Sequence, residues 1–216
     1  KRDRLFFTLL FVPQASQSSW DRRAELDVFL TTPSAQSACG MEDFMKVVDM
    51  HCDTIAALYE NKEKGWTLQD NRLHIRLDKM KQGDYLLQNF ALFVCTENCE
   101  DPYQQALTLA DCFDRQMALF PEQIGQVRCY NDILENQKNG RISALLTIEE
   151  GAVCQGSLEK LREFYDRGVR MLTLTWNFPN EIGFPNFAIS GDGKPDRTVP
   201  NTKDGLTEFG FLFLEE

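Results

Sequence analysis

The sequence predicts an α/β fold with a parallel sheet. Apolar runs alternate with helix-like segments, each run is apolar along its whole length, and turn residues separate the two. Strands that are buried on both faces of a parallel sheet give continuous apolar runs of this kind. Four such repeats suit half of an eight-stranded barrel or a small open sheet, because a closed barrel usually needs about 250 residues and this chain has 216.

Four segments are predicted to be buried strands, because they are short and rich in branched and aromatic residues. They are 45–51 (MKVVDMH), 88–95 (QNFALFVC), 142–149 (ISALLTIE) and 170–177 (RMLTLTWN).

Helices are predicted between and around these strands from their start and stop residues. Asp101 is a typical N-cap residue and Pro102 fits the first helical position, and Asn131 and Ser157 are predicted to cap two later helices. The predicted helical segments are 54–65, 71–84, 101–121, 131–140 and 157–168.

Composition limits the classes of partner. The net charge is −10, which argues against non-specific binding to nucleic acid or to an anionic membrane. No apolar run approaches the roughly 18 residues of a spanning helix. The chain has seven cysteines, an odd number without a disulfide-like spacing, so free thiols and a cytoplasmic location are expected.

The two ends differ from the body. Residues 1–44 show no clear periodicity, and we expect a disordered leader or sequence outside the domain, with the domain itself covering 45–216. Residues 1–19 have a basic start, an apolar run and a small-residue site, so secretion is the alternative location if they form a signal peptide. The apolar stretch 209–214 shows no cap or turn signal, and we expect the domain to be cut short there.

Acidic residues and a histidine follow the first predicted strand. Asp49, His51 and Asp53 alternate, so on a strand they would project to one face. Glu149 ends the third predicted strand, and carboxyl ends of parallel strands meet at one edge of the sheet. One imidazole and two carboxylates are a plausible zinc ligand set.

Simpler roles remain open for each of these residues. A histidine near a strand end is more often a hydrogen-bonded structural residue than a ligand. His74 fits a surface or capping position, Trp176 fits the core, and solvent exposure is the simpler expectation for Glu150.

Four motifs together resemble the renal (membrane) dipeptidase family of zinc peptidases. They are VVDMHCDT, LLTIEEGA, LREFYDRGVRMLTLTWN and GLTEFG, spread over residues 45–210. The resemblance implies a (β/α)8 TIM-type barrel with two zinc ions that hydrolyses dipeptides through a metal-activated hydroxide. This chain would then be the N-terminal half of such a barrel, truncated after about four strands.

The resemblance also assigns roles to individual residues. It implies that His51 and Asp53 bind zinc and that Glu149 bridges two zinc ions, with Gly151 holding the turn after it. It places Asp49 behind the ligands, where it would orient one of them. Trp176 and Asn177 fall where the family binds substrate. Animal members carry a histidine in place of Trp176, so the sequence looks more like bacterial members.

Several family residues have no counterpart here. Two further histidine ligands, a substrate-binding arginine and a catalytic aspartate belong to later strands, and this chain has no histidine after His74. We therefore expect one zinc or none in this chain, weak or no activity, a dipeptide as the substrate of the complete enzyme, and association of copies through exposed strand edges.

Two alternatives stay open. The first is a non-catalytic fragment that serves as a binding module. The second is a single-metal amidohydrolase, which the His-x-Asp pair disfavours because those enzymes usually begin with His-x-His.

Overall fold

Five parallel strands form the main sheet in the computed structural model, which describes residues 46–216. The α/β class with a parallel sheet is thereby confirmed. The predicted leader, 1–44, lies outside the described residues. The strands are β1 (Val47–Asp49), β2 (Tyr85–Phe93), β3 (Ile124–Gln126), β4 (Ile142–Glu149) and β5 (Val169–Thr173).

Strand β4 lies at the centre of the sheet. Strand β2 pairs with it from Ser143 to Glu149, and β1 pairs with the far side of β2. The other edge of β4 is shared, with β3 beside 142–144 and β5 beside 146–149. The sequence predicted about four strands, and the fifth is β3, a three-residue strand whose central Gly125 gives no apolar run.

Within the described part of the chain, six α-helices accompany the strands: α1 (Thr54–Glu60), α2 (Leu77–Gln82), α3 (Pro102–Leu119), α4 (Tyr130–Lys138), α5 (Leu158–Arg167) and α6 (Glu208–Glu215). The predicted caps Asp101 and Ser157 each accept a hydrogen bond from the third residue after them, as N-caps do. Only 77–82 of the predicted helix 71–84 is α-helical, because an irregular loop tied by Asn71 precedes it.

Two helix starts differ from the sequence predictions. Helix α4 begins directly after Cys129, before the predicted cap Asn131, because the Asp132 carboxylate accepts backbone hydrogen bonds from Arg128 and Cys129. The C-terminal apolar stretch does have a cap, since the Thr207 hydroxyl accepts a hydrogen bond from the backbone N–H of Gly210 at the start of α6.

The core lies between the sheet and the helices. Phe90 of β2 packs on Phe113 of α3, with ring centroids 5.9 Å apart, and both side chains are fully buried. Strand β1 departs from the predicted burial, since Val47 and Val48 are 37% and 50% exposed. Its one neighbour in the described sheet is β2, so β1 is an edge strand.

A two-stranded antiparallel sheet follows the main sheet. It comprises β6 (Phe187–Ile189) and β7 (Pro195–Pro200), which the sequence did not predict. Prolines bound β7 and the run lacks regular apolar alternation, so it carries no ordinary strand signal. Within residues 46–216, no helix combines the length and apolar character needed to cross a bilayer.

Candidate metal centre

The carboxyl ends of β1 and β4 bring three predicted ligands together. The Nε2 atom of His51 lies 3.0 Å from Oε2 of Glu149 and 3.4 Å from Oδ1 of Asp53. One ligand atom from each residue falls within 4.8 Å of the other two. The three residues are close enough to share a single cation.

The backbone positions of His51 and Asp53 differ from those that their alternating spacing predicted. Strand β1 ends at Asp49, so His51 and Asp53 lie on the loop to α1 and not on the strand itself. Asp53 occupies the N-cap position of α1, yet its side chain makes no capping hydrogen bond. Its carboxylate instead lies beside the His51 imidazole.

The electrostatics of the cluster favour a positive charge among the carboxylates. Hydrogen bonds to Asp53 and then to Glu149 raise the pKa of His51 to about 10, against the opposing effect of burial. The imidazole thus supplies the cation in the metal-free chain. One nitrogen and two carboxylate oxygens are also a donor set that zinc accepts, so the residues present fit a metal ion that would replace the proton.

The carboxylate of Asp49 contacts the backbone of the loop that carries His51 and Asp53. It accepts a hydrogen bond of 3.1 Å from the backbone N–H of His51. The backbone carbonyl of Asp49 in turn accepts from Nε2 of Gln88 on β2, at 3.5 Å. These contacts fix where the loop leaves the strand. The orienting role predicted for Asp49 remains a prediction.

Glu150 is buried and not exposed to solvent as the simpler expectation had it. Only 1% of the residue is accessible. Its carboxylate accepts hydrogen bonds from the backbone N–H groups of Ala152 and Trp176 and from Nδ2 of Asn180, at 3.1, 3.3 and 2.8 Å. Burial raises its pKa, and these hydrogen bonds oppose the increase. Glu150 thereby ties the loop after β5 to the end of β4.

Two residues, Glu150 and Gly151, shape the turn after Glu149. Glu150 itself has a φ of 88°, in the region that favours glycine. Gly151 is needed for a different reason: a Cβ there would lie 2.6 Å from Cδ1 of Ile182 and 2.7 Å from the carbonyl oxygen of Leu174. The sequence could not show the close approach at Gly151, because it depends on a loop that returns from after β5.

Trp176 and Asn177 line one wall of an open cavity of about 330 Å³. The Trp176 ring packs edge-on against Phe93, with centroids 5.1 Å apart. Phe93 ends β2 and is the ladder partner of Glu149. The two predicted substrate residues are therefore on the carboxyl side of the sheet, and their role in substrate binding stays a prediction. His74, in contrast, is exposed and outside the cluster, as expected.

Comparison with known proteins identifies the family. The sequence model of the membrane dipeptidase family, peptidase family M19, matches residues 36–216. The chain belongs to this family. An uncharacterized dipeptidase of Schizosaccharomyces pombe is 31% identical over 154 residues, which are 66% of this chain and 35% of that protein. Dipeptidase 3 of Rattus norvegicus is 31% identical over 191 residues, 84% of this chain and 36% of the rat protein.

Two solved metallopeptidase structures share the fold. Dipeptidase AC, a metallopeptidase of family M19, matches with a TM-score of 0.65 and 23% identity over 79% of this chain and 53% of its own. A metallopeptidase from Rhodobacter sphaeroides, liganded with a phosphinate mimic of L-Ala-D-Ala, matches with a TM-score of 0.63 and 20% identity. The match covers 80% of this chain and 56% of the R. sphaeroides chain. The chain thus spans about a third of the curated relatives and about half of these structures.

Proposed function

We propose that this chain is the N-terminal part of a zinc-dependent dipeptidase, with His51, Asp53 and Glu149 as zinc ligands. The observation that carries the proposal is the convergence of these three donor atoms within 4.8 Å, at the carboxyl edge of a parallel sheet. Membership of the membrane dipeptidase family supports a dipeptide as substrate. The R. sphaeroides relative carries a dipeptide mimic, which agrees with this choice.

Each residue around the cluster has a specific part in this proposal. When bound, zinc supplies Lewis-acid chemistry, polarising a peptide carbonyl and acidifying water. His51 must release its proton at Nε2 to act as a ligand, because only the neutral imidazole has a free lone pair. Asp53 and Glu149 balance the charge of the cation. Glu150 holds the turn that directs Glu149, and Asp49 holds the loop that carries His51.

The finer fold assignment belongs to this proposal as well. Strands β1, β2, β4 and β5 would be consecutive main strands of a (β/α)8 barrel, with β3 as a short addition beside the start of β4. The exposed edge of β1 supports this, because barrel closure would pair that edge with a later strand.

On its own, the 216-residue chain is proposed to bind one zinc at most and to turn over dipeptides weakly or not at all. The described residues offer one imidazole and two carboxylates at the site, whereas catalytic zinc sites generally have three protein ligands for each ion and an open position. A second ion would have to share these same groups. A binding module without catalysis and a single-metal amidohydrolase are the two alternatives to this function.

Zinc stoichiometry of the purified chain tests the ligand assignment. We expect up to one zinc per chain after dialysis, measured by elemental analysis, and a loss of binding of at least tenfold in His51→Ala and in Glu149→Gln. His74→Ala and Glu122→Gln are matched controls, because neither residue belongs to the cluster. Equal zinc binding in the cluster variants and the controls would refute the assignment.

Hydrolysis tests the dipeptidase assignment separately. Zinc-dependent cleavage of dipeptides is expected from a longer protein that contains residues 45–216, and Glu149→Gln should remove it. The isolated chain should show little turnover under the same conditions. Efficient turnover by the isolated chain would contradict the proposal that its site is incomplete, and a longer protein without dipeptidase activity would contradict the function.

A further inference from the structure

The open cavity beside Trp176 has a charge pattern that the metal centre does not explain. Lys194 and Arg197, both on or next to β7, line it together with Phe178. Glu97, from the short 3-10 helix after β2, also reaches it. The cavity therefore carries two positive side chains and one negative side chain, in a protein whose net charge is −10.

The two cations have no ionic partner within residues 46–216. Several other arginines of the chain are paired: Arg76 with Asp78, Arg162 with Glu216 and Arg167 with Asp111. Neither the ammonium of Lys194 nor the guanidinium of Arg197 lies within 4.0 Å of a carboxylate oxygen in that part of the chain. Two unpaired cations that face one cavity, in an acidic protein, indicate a place for an external anion.

The location of the cavity connects it to the candidate metal centre. Trp176 forms part of its wall and packs on Phe93, the ladder partner of Glu149. The backbone N–H of Trp176 also donates to the carboxylate of Glu150, the residue directly after Glu149. A molecule held in the cavity would lie on the carboxyl edge of the sheet, the same edge as the three ligands.

We propose that this cavity binds a carboxylate group of the peptide substrate, through Lys194 and Arg197. That the ligand is a peptide rests on the proposed function. That the bound group is negatively charged rests on the side chains of the cavity alone. The carboxylate is either the C-terminal one or that of an acidic side chain. Glu97 opposes it and limits the net charge of the cavity to about one positive unit. Trp176 and Phe178 supply apolar walls for the remainder of the peptide.

Tryptophan fluorescence of the metal-free chain tests the binding, with the chelator removed by dialysis so that neither zinc nor chelator competes. The probes are Ala-Glu-amide, with an acidic side chain only, Ala-Ala, with a C-terminal carboxylate only, and Ala-Gln-amide, with no carboxylate. A saturable change with either of the first two, weaker in high salt and absent in Trp176→Phe, supports the proposal and identifies the source of the carboxylate. A response no different from that of Ala-Gln-amide overturns it.

Charge variants with opposite expected effects distinguish a change in binding from a loss of folded protein, because misfolding would weaken binding in every variant. Lys194→Gln and Arg197→Gln should each weaken binding about two- to fivefold, the range of exposed ion pairs, and Glu97→Gln should strengthen it by a similar factor. The double variant Arg72→Gln/Lys138→Gln removes the same charges away from the cavity and should change nothing. Equal weakening in this control, or no strengthening by Glu97→Gln, overturns the proposal.

Zinc stoichiometry, measured after zinc is added back to the same preparations and the excess is removed by dialysis, separates the two proposals. Zinc bound at the cluster with no carboxylate binding would leave the proposed function standing and refute the cavity assignment. Carboxylate binding by a chain that takes up no zinc would support the cavity assignment and show that it does not depend on the metal centre.

Discussion

The two sides of the candidate metal centre are held in very different ways. Glu149 ends β4, an eight-residue strand with neighbours along both edges, and the next residue is 1% exposed. His51 and Asp53 follow β1, a three-residue edge strand, and their side chains are 47% and 56% exposed. The Glu149 side chain is 20% exposed.

This difference indicates which side a metal would order. On the β4 side, packing and buried hydrogen bonds fix the backbone whether or not a cation is present. On the β1 side, the contacts are solvent-accessible. They are the hydrogen bond from the His51 backbone to Asp49 and the ion pairs of the His51 side chain. Each such contact contributes little free energy. The first side is a preformed half-site, and the second should gain most of its rigidity from the ion.

The largest expected effect comes from breaking the preformed side. Gly151→Ala should lower the free energy of unfolding by about 2 to 3 kcal/mol, the upper range for overpacking. The reason is that its Cβ would meet the Leu174 carbonyl at 2.7 Å, and a backbone atom cannot rotate away. Urea unfolding followed by circular dichroism measures this.

The control for this substitution is Gly191→Ala. A Cβ at Gly191 would meet no atom within 4 Å, and the free energy of unfolding should change by less than about 0.5 kcal/mol. If both variants were equally stable, the close contact at Gly151 would not be what fixes the turn after Glu149.

Zinc should act mainly on the other side. At a free zinc concentration about ten times the dissociation constant, binding stabilises the site by about 1.4 kcal/mol, so amide exchange through openings that break it slows about tenfold. We expect this slowing at His51, whose N–H donates to Asp49. Ala152, whose N–H donates to the buried Glu150, should change much less.

Hydrogen exchange read by mass spectrometry or NMR makes this comparison directly. The Glu149→Gln variant serves as the control, because zinc should no longer slow exchange at His51 when one ligand is lost. Equal slowing at His51 and Ala152 would mean that the two sides are not ordered differently by the metal.

What the sequence could predict follows the same division. The proximity of His51, Asp53 and Glu149 could be predicted, because the carboxyl ends of parallel strands converge. Their role as zinc ligands stays a proposal. The long apolar strands β2 and β4 were equally visible. The exposure of β1 could not be predicted, because a strand has the same apolar residues whether or not a further strand covers its edge.

Long-range contacts explain the remaining errors. Glu150 is buried only because Asn180 and the Trp176 backbone return to it, and a local pattern carries no trace of that. Helix α4 is capped through Asp132 from inside its first turn, so the sequence signal fell on the wrong residue. Strands β3 and β7 lack apolar periodicity and depend on their pairing partners.

A smaller, pH-dependent effect is expected at the helix that leads into β4. Burial works to raise the pKa of Asp132, and hydrogen bonds from the backbone N–H groups of Arg128 and Cys129 outweigh it, so the pKa is lowered. A lowered folded-state pKa contributes stability that is present above the unfolded carboxyl pKa of about 4. That stability is lost as the pH falls through the folded-state pKa.

Asp132→Asn should therefore cost about 0.5 to 1 kcal/mol at pH 7, toward the lower end for helix caps because the site is only partly buried. The difference from the unsubstituted chain should vanish in acid. Urea titrations at pH 7, 5 and 3 measure it, with the exposed Asp166→Asn on α5 as control. A cost that stays constant across this range would mean that the charge of Asp132 is not responsible.

The smallest effect on stability is expected at the edge of β1, where the consequence should appear in association instead. Val48 is 50% exposed on a strand whose one described neighbour is β2. An exposed apolar edge favours pairing between copies, and a lysine there opposes it. Val48→Lys should change the free energy of unfolding by less than about 0.5 kcal/mol while reducing self-association in sedimentation velocity. Leu134→Lys on α4, at a position 46% exposed, should not. If both lysines reduced association equally, charge alone and not the open edge of β1 would account for it.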